Sequence, residues 1–562
     1  MKHFITCVLL VAAVSCSAAF EWRFADGETC QRVIPDEPAL RFQGGFKATV
    51  QFACEREKID ARANHANLFC KGRDFLDGYC VMVRKDGWLL VDIKGIEPQY
   101  QLCPLDIQSG RLYTLEVYVT PKVVRLFLDG VETGSYPYMG TFTFGSNTDP
   151  LKLGSMGGYK FCGRLPLVRL EPLSDVVLPP GGPAPMRMVA PVHQARADII
   201  WERTICEEKD RYIGWPTIAR LANGELLAVF SGDREQHICP WGKVQFVRSS
   251  DDGETWTQPQ TIANGPIDDR DAGIVQMPDG TIIVTYFTSL AYRDERLLKT
   301  NWPVENPKYG WRRHDEKISD EVRKDALGYF RVLSKDNGRT WSKPMKMTGL
   351  SHTPHGPILL KDGSLLQIGR SFTHARLGTT EQGHTIISVW KSRDLGASWQ
   401  CLCQEIADTN GENAVPHMFH EPYAIELPDG KLVGLVRYHG KDNCLRQTVS
   451  EDGGKTWTPM TKTGMVGLPP HLVRLADGKL VCVYGRRVTQ PIGFGEFAAI
   501  SDDNGQTWDV ANEIQLSASF NGDLGYPAST VLPNGDIVTV YYQCPKPGVR
   551  PVLKATKWRV KK

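Results

Sequence analysis

An octet of the form Ser-x-Asp-x-Gly-x-(Thr/Ser)-Trp occurs five times in this 562-residue chain: SSDDGETW from Ser249, SKDNGRTW from Ser334, SRDLGASW from Ser392, SEDGGKTW from Ser450 and SDDNGQTW from Ser501. Each is a turn with a chemical logic, in which the Asp carboxylate caps backbone amides, Gly accepts a positive φ and Trp anchors the hairpin in its sheet. Repetition of such a unit points to a ring or stack of similar sheets, not to one continuous core. A second repeat keeps step with the first: a strand, an Asp/Asn-Gly turn and an apolar strand, with glycines at Gly224, Gly280, Gly363, Gly430, Gly478 and Gly535. Six in-step hairpins predict a six-bladed β-propeller over 198–562. The sixth blade lacks the octet, so the strand near 199–204 is expected to complete it beside 552–560 and close the ring.

Upstream of the repeats, residues 20–173 alternate apolar and polar side chains over 46–52, 79–83, 112–119 and 123–128, with turn signals at Asp86-Gly87 and Asp129-Gly130. The pattern "RLYTLEVYVTPKVVRLFLDGVETGSY" followed by "LKLGSMGGYKFCGRLPLVRLEPL" resembles laminin-G or concanavalin-like jelly rolls, which implies a β-sandwich. The fold class expected is therefore all-β, a β-sandwich followed by a propeller. Residues 174–197, including LPPGGPAPM, read as a Pro/Gly-rich connector. Residues 1–19 read as a secretory signal peptide, Lys2 preceding a short apolar run and small residues, with lipid attachment at Cys16 as the weaker alternative. Secretion, to the periplasm, the cell surface or beyond, is the expected destination, and no segment is long and apolar enough to span a membrane.

The 66 basic and 64 acidic residues nearly cancel, which argues against nucleic acid or an anionic membrane as partner. Thirteen cysteines remain after the leader, an odd number that leaves at least one thiol outside any intramolecular pair. Cys401-x-Cys403 has no second pair or matching histidines, so no metal site and no cofactor is expected.

The first strand of every blade lines the central tunnel, and counting back from the six glycines places Trp215, Asp271, Pro354, Glu421, Pro469 and Tyr526 at one shared mouth. Two carboxylates and a phenol converging there suggest chemistry, not packing. Arginines gather at a second ring of equivalent positions, the ends of the second strands: Arg234, Arg370, Arg437 and Arg486, with Arg487 adjacent. Guanidinium forks bind carboxylates bidentately, so this ring is a candidate anion site. His352, His355, His417 and His420 flank inner strands and suit hydrogen bonds to the hydroxyls of a ligand or plain packing, a metal being disfavoured by their spacing, while Trp215 and Trp241 suit stacking on a ligand ring or wedging between blades. A charged insertion between Tyr292 and Ala326 is either a lid or subsite wall, or a solvated decoration.

The octets and the phrase "HEPYAIELPDGKLVGLVR", with Glu421 sixteen residues before Arg437, resemble those of sialidases, as does Tyr526 in "DLGYPASTVLPNGDIVTVYY". The resemblance implies Tyr526 as nucleophile and Glu421 as its general base. A neutral phenol suits an anomeric carbon that already bears a carboxylate, because an anionic nucleophile would be repelled. The chain departs from the family at Gly214-Trp215-Pro216, where sialidases carry Arg-Ile-Pro. For the general acid, Asp233, in the loop SGDREQHICPWGK that also offers Glu235 and His237, competes with Asp271, which is preferred. The expected activity is exo-glycosidic release of sialic acid or a related acidic sugar from a glycan. Alternatives are another uronic or ulosonic or a neutral sugar, and a carbohydrate-binding protein without catalysis.

Overall fold

The computed structural model describes residues 19–561 with the exception of internal stretches, the longest of which are 141–146, 180–195, 295–306, 374–383, 408–418 and 488–493. Most of the expected leader and connector, and His417, lie outside the described residues. The chain divides into two compact units, Met1–Arg187 and Met188–Lys562.

The first unit is a sandwich of two six-stranded antiparallel sheets. One sheet runs in the order Phe20–Arg23, Gly163–Pro172, Phe46–Cys54, Tyr113–Val119, Val123–Leu128 and Val131–Pro137. The other runs Arg32–Ile34, Leu151–Leu153, His65–Lys71, Tyr79–Arg84, Leu89–Ile93 and Tyr100–Cys103. Alternation explains the packing: along Phe46–Cys54, residues Phe46, Ala48, Val50 and Phe52 are buried while Lys47, Thr49 and Gln51 stay half-buried. The inward sets of both sheets share one core, with Phe46, Val50 and Leu115 meeting Phe69, Val81 and Val91.

The second unit is six four-stranded antiparallel sheets. Blades 1 to 5 open with inner strands Tyr212–Arg220, Asp268–Gln276, Ile358–Leu359, Phe419–Glu426 and Leu468–Arg474, and blade 6 with Leu524–Val531. The inner strand of each blade meets the next blade, blade 3 reaching the inner strand of blade 4 through its second strand Leu365–Thr373, and the inner strand of blade 6 returns to that of blade 1, which closes the ring. The expected closure is present: Ala197–Cys206 pairs with Val552–Val560 as the outermost strand of blade 6, with Ile199 opposite Trp558.

Each octet folds as its chemistry dictates. In the first, Ser249 Oγ donates to Asp251 Oδ1 at 2.7 Å, while Asp251 accepts from Thr255 N at 2.9 Å and Thr255 Oγ1 at 2.5 Å. Trp256, Trp399 and Trp457 donate from their indoles to the octet glycine carbonyls, whereas Trp508 donates to Gln447 Oε1 of the preceding blade at 2.7 Å. All described cysteines for which side chains are placed are free thiols.

Candidate active site

Five of the six inner strands lose register at the same point, between Gly214 and Thr217, Arg270 and Gly273, His420 and Tyr423, Leu468 and His471, and Gly525 and Ala528. Within four of these bulges sits a non-glycine residue in the left-handed region: Trp215 (φ 56°), Asp271 (φ 50°), Glu421 (φ 35°) and Tyr526 (φ 54°). That conformation costs about 1–2 kcal/mol for an L-residue, and its recurrence at equivalent positions marks a device that re-aims each side chain along the tunnel. The other two equivalent positions hold Pro354 and Pro469, whose rings fix φ on the negative side.

The re-aimed side chains meet. Tyr526 Oη donates to Glu421 Oε1 at 2.5 Å, and Arg437 Nη1 donates to Glu421 Oε2 and to Tyr526 Oη, the latter at 3.2 Å. Burial pulls the Glu421 carboxyl upward, but the Arg437 guanidinium and the Tyr526 hydroxyl outweigh it and hold the group well below the usual carboxylate range. Burial and the Glu421 charge push the Tyr526 phenol well above its ordinary value. The pair is thus a neutral phenol on an ionised acceptor. Asp271 is pushed the other way from Glu421, up to about 6, by burial, with Arg270 opposing and Glu421 reinforcing. Its backbone N–H donates to Ser231 Oγ at 2.9 Å, His352 Nε2 stands 3.5 Å from its Oδ2, and its Oδ1 has no partner.

Asp271, His352 and Glu421 present ligand atoms within 4.8 Å of one another, the single such group among the described residues. Glu421 is already taken by Arg437 and Tyr526, and burial holds His352 neutral by lowering it to about 3. The charges near the trio include Arg270, Arg370 and Arg437, so it suits proton handling better than a cation.

The arginines divide into two kinds. Arg234 is clamped by Asp268 through both terminal nitrogens, at 2.5 and 2.9 Å, and Arg486 is clamped by Glu513 at 2.7 and 2.8 Å. These two are internal ion pairs, not members of an open anion site. Arg437 binds the Tyr-Glu pair, and Arg370 Nη1 donates to His420 Nδ1. Arg487 donates to the Leu524 carbonyl and to Tyr542 Oη at 2.9 Å while its guanidinium stands 5.8 Å from the Tyr526 ring centroid. Arg270, next to Asp271, lies 4.6 Å over the Trp215 ring. Sequence reasoning passed over it because counting to the bulge named only one residue per strand.

Trp215 is 1% exposed, so it forms a wall behind the mouth and offers no face to a sugar. His237 is solvent-exposed although protein surrounds it, the signature of a cleft floor, and it packs edge-on against Trp215 at 4.9 Å with Nδ1 3.2 Å from Tyr212 Oη. His420 packs at a tilt against His439, which is exposed. His355 lies in the tunnel interior, against His471 and Tyr423, with Nδ1 3.1 Å from Thr217 Oγ1. Asp233 is engaged in an ion-pair network with Arg211 and Lys243. The insertion is no loose decoration: helix Pro307–Asp315 carries Trp311, and the turn leading to helix Asp320–Ala326 carries Ile318, into a cluster with Ile267 and Tyr292, against which Ile238 and Trp241 pack. Trp311 Nε1 donates to Glu235 Oε2 at 2.6 Å, which fixes the insertion to the loop that bears His237.

A BNR repeat-like domain is recognised over residues 316–539. The chain is 25% identical over 359 residues to a sialidase of Micromonospora viridifaciens, covering 60% of this chain and 50% of that protein. It is 23% identical to a sialidase of Bacteroides fragilis, covering 58% of this chain and 59% of that protein. The chain thus spans only 50% to 59% of the length of these two relatives. A crystal structure of a protein of unknown function from Dyadobacter fermentans superposes with a TM-score of 0.51 at 22% identity, covering 65% of this chain and 99% of that one, a likeness of fold.

Proposed function

We propose that this sialidase-like, BNR-repeat propeller is a secreted exo-glycosidase that releases a terminal sialic acid or a related acidic sugar from glycans, with retention of anomeric configuration through Tyr526. The carrying observation is the hydrogen-bonded Tyr526–Glu421–Arg437 set at the mouth, each member delivered by a different strand. Tyr526 Oη attacks the anomeric carbon as its proton passes to Glu421, and Asp271 protonates the departing glycosidic oxygen. Water then attacks the tyrosyl-linked sugar with Asp271 as base, and the phenolate regains its proton from Glu421. Asp271 suits both steps because its raised pKa lets it carry and surrender a proton near neutrality. The sandwich is assigned to glycan attachment.

A related reading, cleavage of a different uronic or ulosonic acid, draws on Trp215 at the position where sialidases place an arginine. Incubation with sialyllactose, mucin glycans and uronic-acid glycosides separates the two. Tyr526→Phe is expected to lower kcat/KM at least ~10³-fold with an unchanged melting profile, since it removes the nucleophile. Equal sugar release by wild type and variant excludes the mechanism, and release from no glycan leaves a carbohydrate-binding protein.

A further inference from the structure

We propose that Arg270 of blade 2, seated on Trp215, grips the carboxylate of the bound acidic sugar. This rests on the acidic-sugar reading above and deepens it by naming the group that recognises the acid.

The argument starts from what surrounds each cation. Arg234 spends both terminal nitrogens on the buried Asp268, and Arg486 holds both oxygens of the buried Glu513 through Nη2. Arg270 does not. Its nearest carboxylate is Asp268, 3.9 Å from Nε and already clamped by Arg234. Arg270 Nε is buried with no acceptor. A guanidinium only 11% exposed, whose one close carboxylate is 3.9 Å away and already clamped by another arginine, is poorly compensated and is suited to an anion arriving from outside.

Its direction is fixed as well. The Arg270 guanidinium lies 4.6 Å over the Trp215 ring, and that indole also meets the guanidinium of Arg234 at 5.1 Å. Cation–π contact holds the planar fork in one orientation while leaving its N–H edges for a ligand. Trp215 in turn meets Tyr526 edge-on at 6.3 Å, so the seat of the guanidinium touches the nucleophile itself. Blade 1 contributes an uncharged ring at its bulge, and blade 2 lays a cation over that ring. Arg437 Nη1 lies on the Glu421–Tyr526 pair, and its Nε is buried with no acceptor among the described residues. Two partly unsatisfied forks therefore flank the phenol, which matches a planar, bidentate anion better than a hydroxyl.

The test uses an aryl glycoside of sialic acid and its methyl ester, which differ in the carboxylate charge, on the full chain and on Arg270→Met, which keeps the stem over Trp215. Arg270→Met is expected to raise KM for the acid ~10- to 100-fold, the worth of a charge-assisted pair, while kcat/KM for the ester stays within twofold. Arg270→Lys should recover part of the loss, because it restores charge without the fork. Calorimetry with free sialic acid and its methyl ester, on chains carrying Tyr526→Phe, provides a readout independent of turnover: the preference for the acid should vanish with Arg270→Met. If wild type hydrolyses neither substrate, the activity is wrong and this binding difference alone decides Arg270. Equal losses for acid and ester, or no loss for either, would overturn the proposal and leave Arg270 as a brace for Trp215.

Discussion

Asp271 and Glu421 offer oxygens within 4.8 Å of each other, yet one carboxyl is raised to about 6 and the other driven far down. The difference is who stands beside each: Glu421 has Arg437 and a phenol hydroxyl as direct donors, whereas Asp271 has a neutral imidazole and an unpartnered oxygen. Environments that separate two like groups assign acid and base roles. An acid with a pKa of about 6 is protonated below that pH and ionised above it. The rate for a poor leaving group should therefore fall as pH rises through about 6, as the proton-donating form is lost. Asp271→Asn should lower kcat ~10²- to 10³-fold on a natural glycoside. It should leave an activated aryl glycoside, which needs no proton on departure, much faster than that and without the alkaline limb in its first step. A pH–rate profile that keeps its alkaline limb in Asp271→Asn, measured under single turnover with the aryl substrate, would transfer the acid role elsewhere.

At the scale of the element, the octet is a self-contained carboxylate cap. Asp394 accepts from Ser392 Oγ at 2.7 Å, from Ser398 N at 3.0 Å and from Ser398 Oγ at 2.6 Å. Burial raises its carboxyl, but these donors win and bring it to about 2. With a folded value below the unfolded 3.8, its stabilisation is complete above pH 3.8 and is lost as pH falls toward 2. Asp394→Ala should lower the melting temperature by ~1–3 °C at pH 7, a modest value because solvent screens an exposed group, with the gap closing at pH 2–3. Calorimetric scans at the two pH values check the sign. The octets were legible because the Ser and Asp bonds that shape them close within eight residues. The bulges were half legible: a constant offset from the turn glycine found Trp215, Asp271, Glu421 and Tyr526, but not the left-handed backbone that turns them. The arginine ring was misleading at Arg234 and Arg486, since Asp268 and Glu513 lie 34 and 27 residues further along and counting sees no long-range partner. For the same reason Trp215 read as a sugar platform, and its burial beneath Arg270 appeared only in three dimensions.

At the scale of the whole propeller, stability depends on a seam. Five blades are each built from one continuous stretch, but blade 6 takes its outer strand Ala197–Cys206 from the start of the unit and its other three from the end. The seam is well made. Eight residue pairs are in register between the two strands, and Trp558 on the inner side is fully buried with its indole donating to Thr539 Oγ1 at 2.9 Å. Lys554 pairs with Glu202, and Trp201 donates to Glu254 Oε1 at 2.9 Å in blade 1, so the strand also couples blade 6 to its neighbour. Closing this loop spans several hundred residues, but loop entropy grows only logarithmically with length, so the cost of closure rises little with the size of the ring. Without Ala197–Cys206, the edge of Val552–Val560 would lie open, and the Tyr526 strand of the same blade would lose its support. A chain beginning at residue 207 is expected to lose hydrolytic activity and self-associate. A synthetic peptide of residues 196–207 added in excess should occupy the vacant edge by strand addition and restore activity in a saturable manner. Full activity in the truncated chain before any peptide is added would show that the Tyr526 site is held by the inner strands alone.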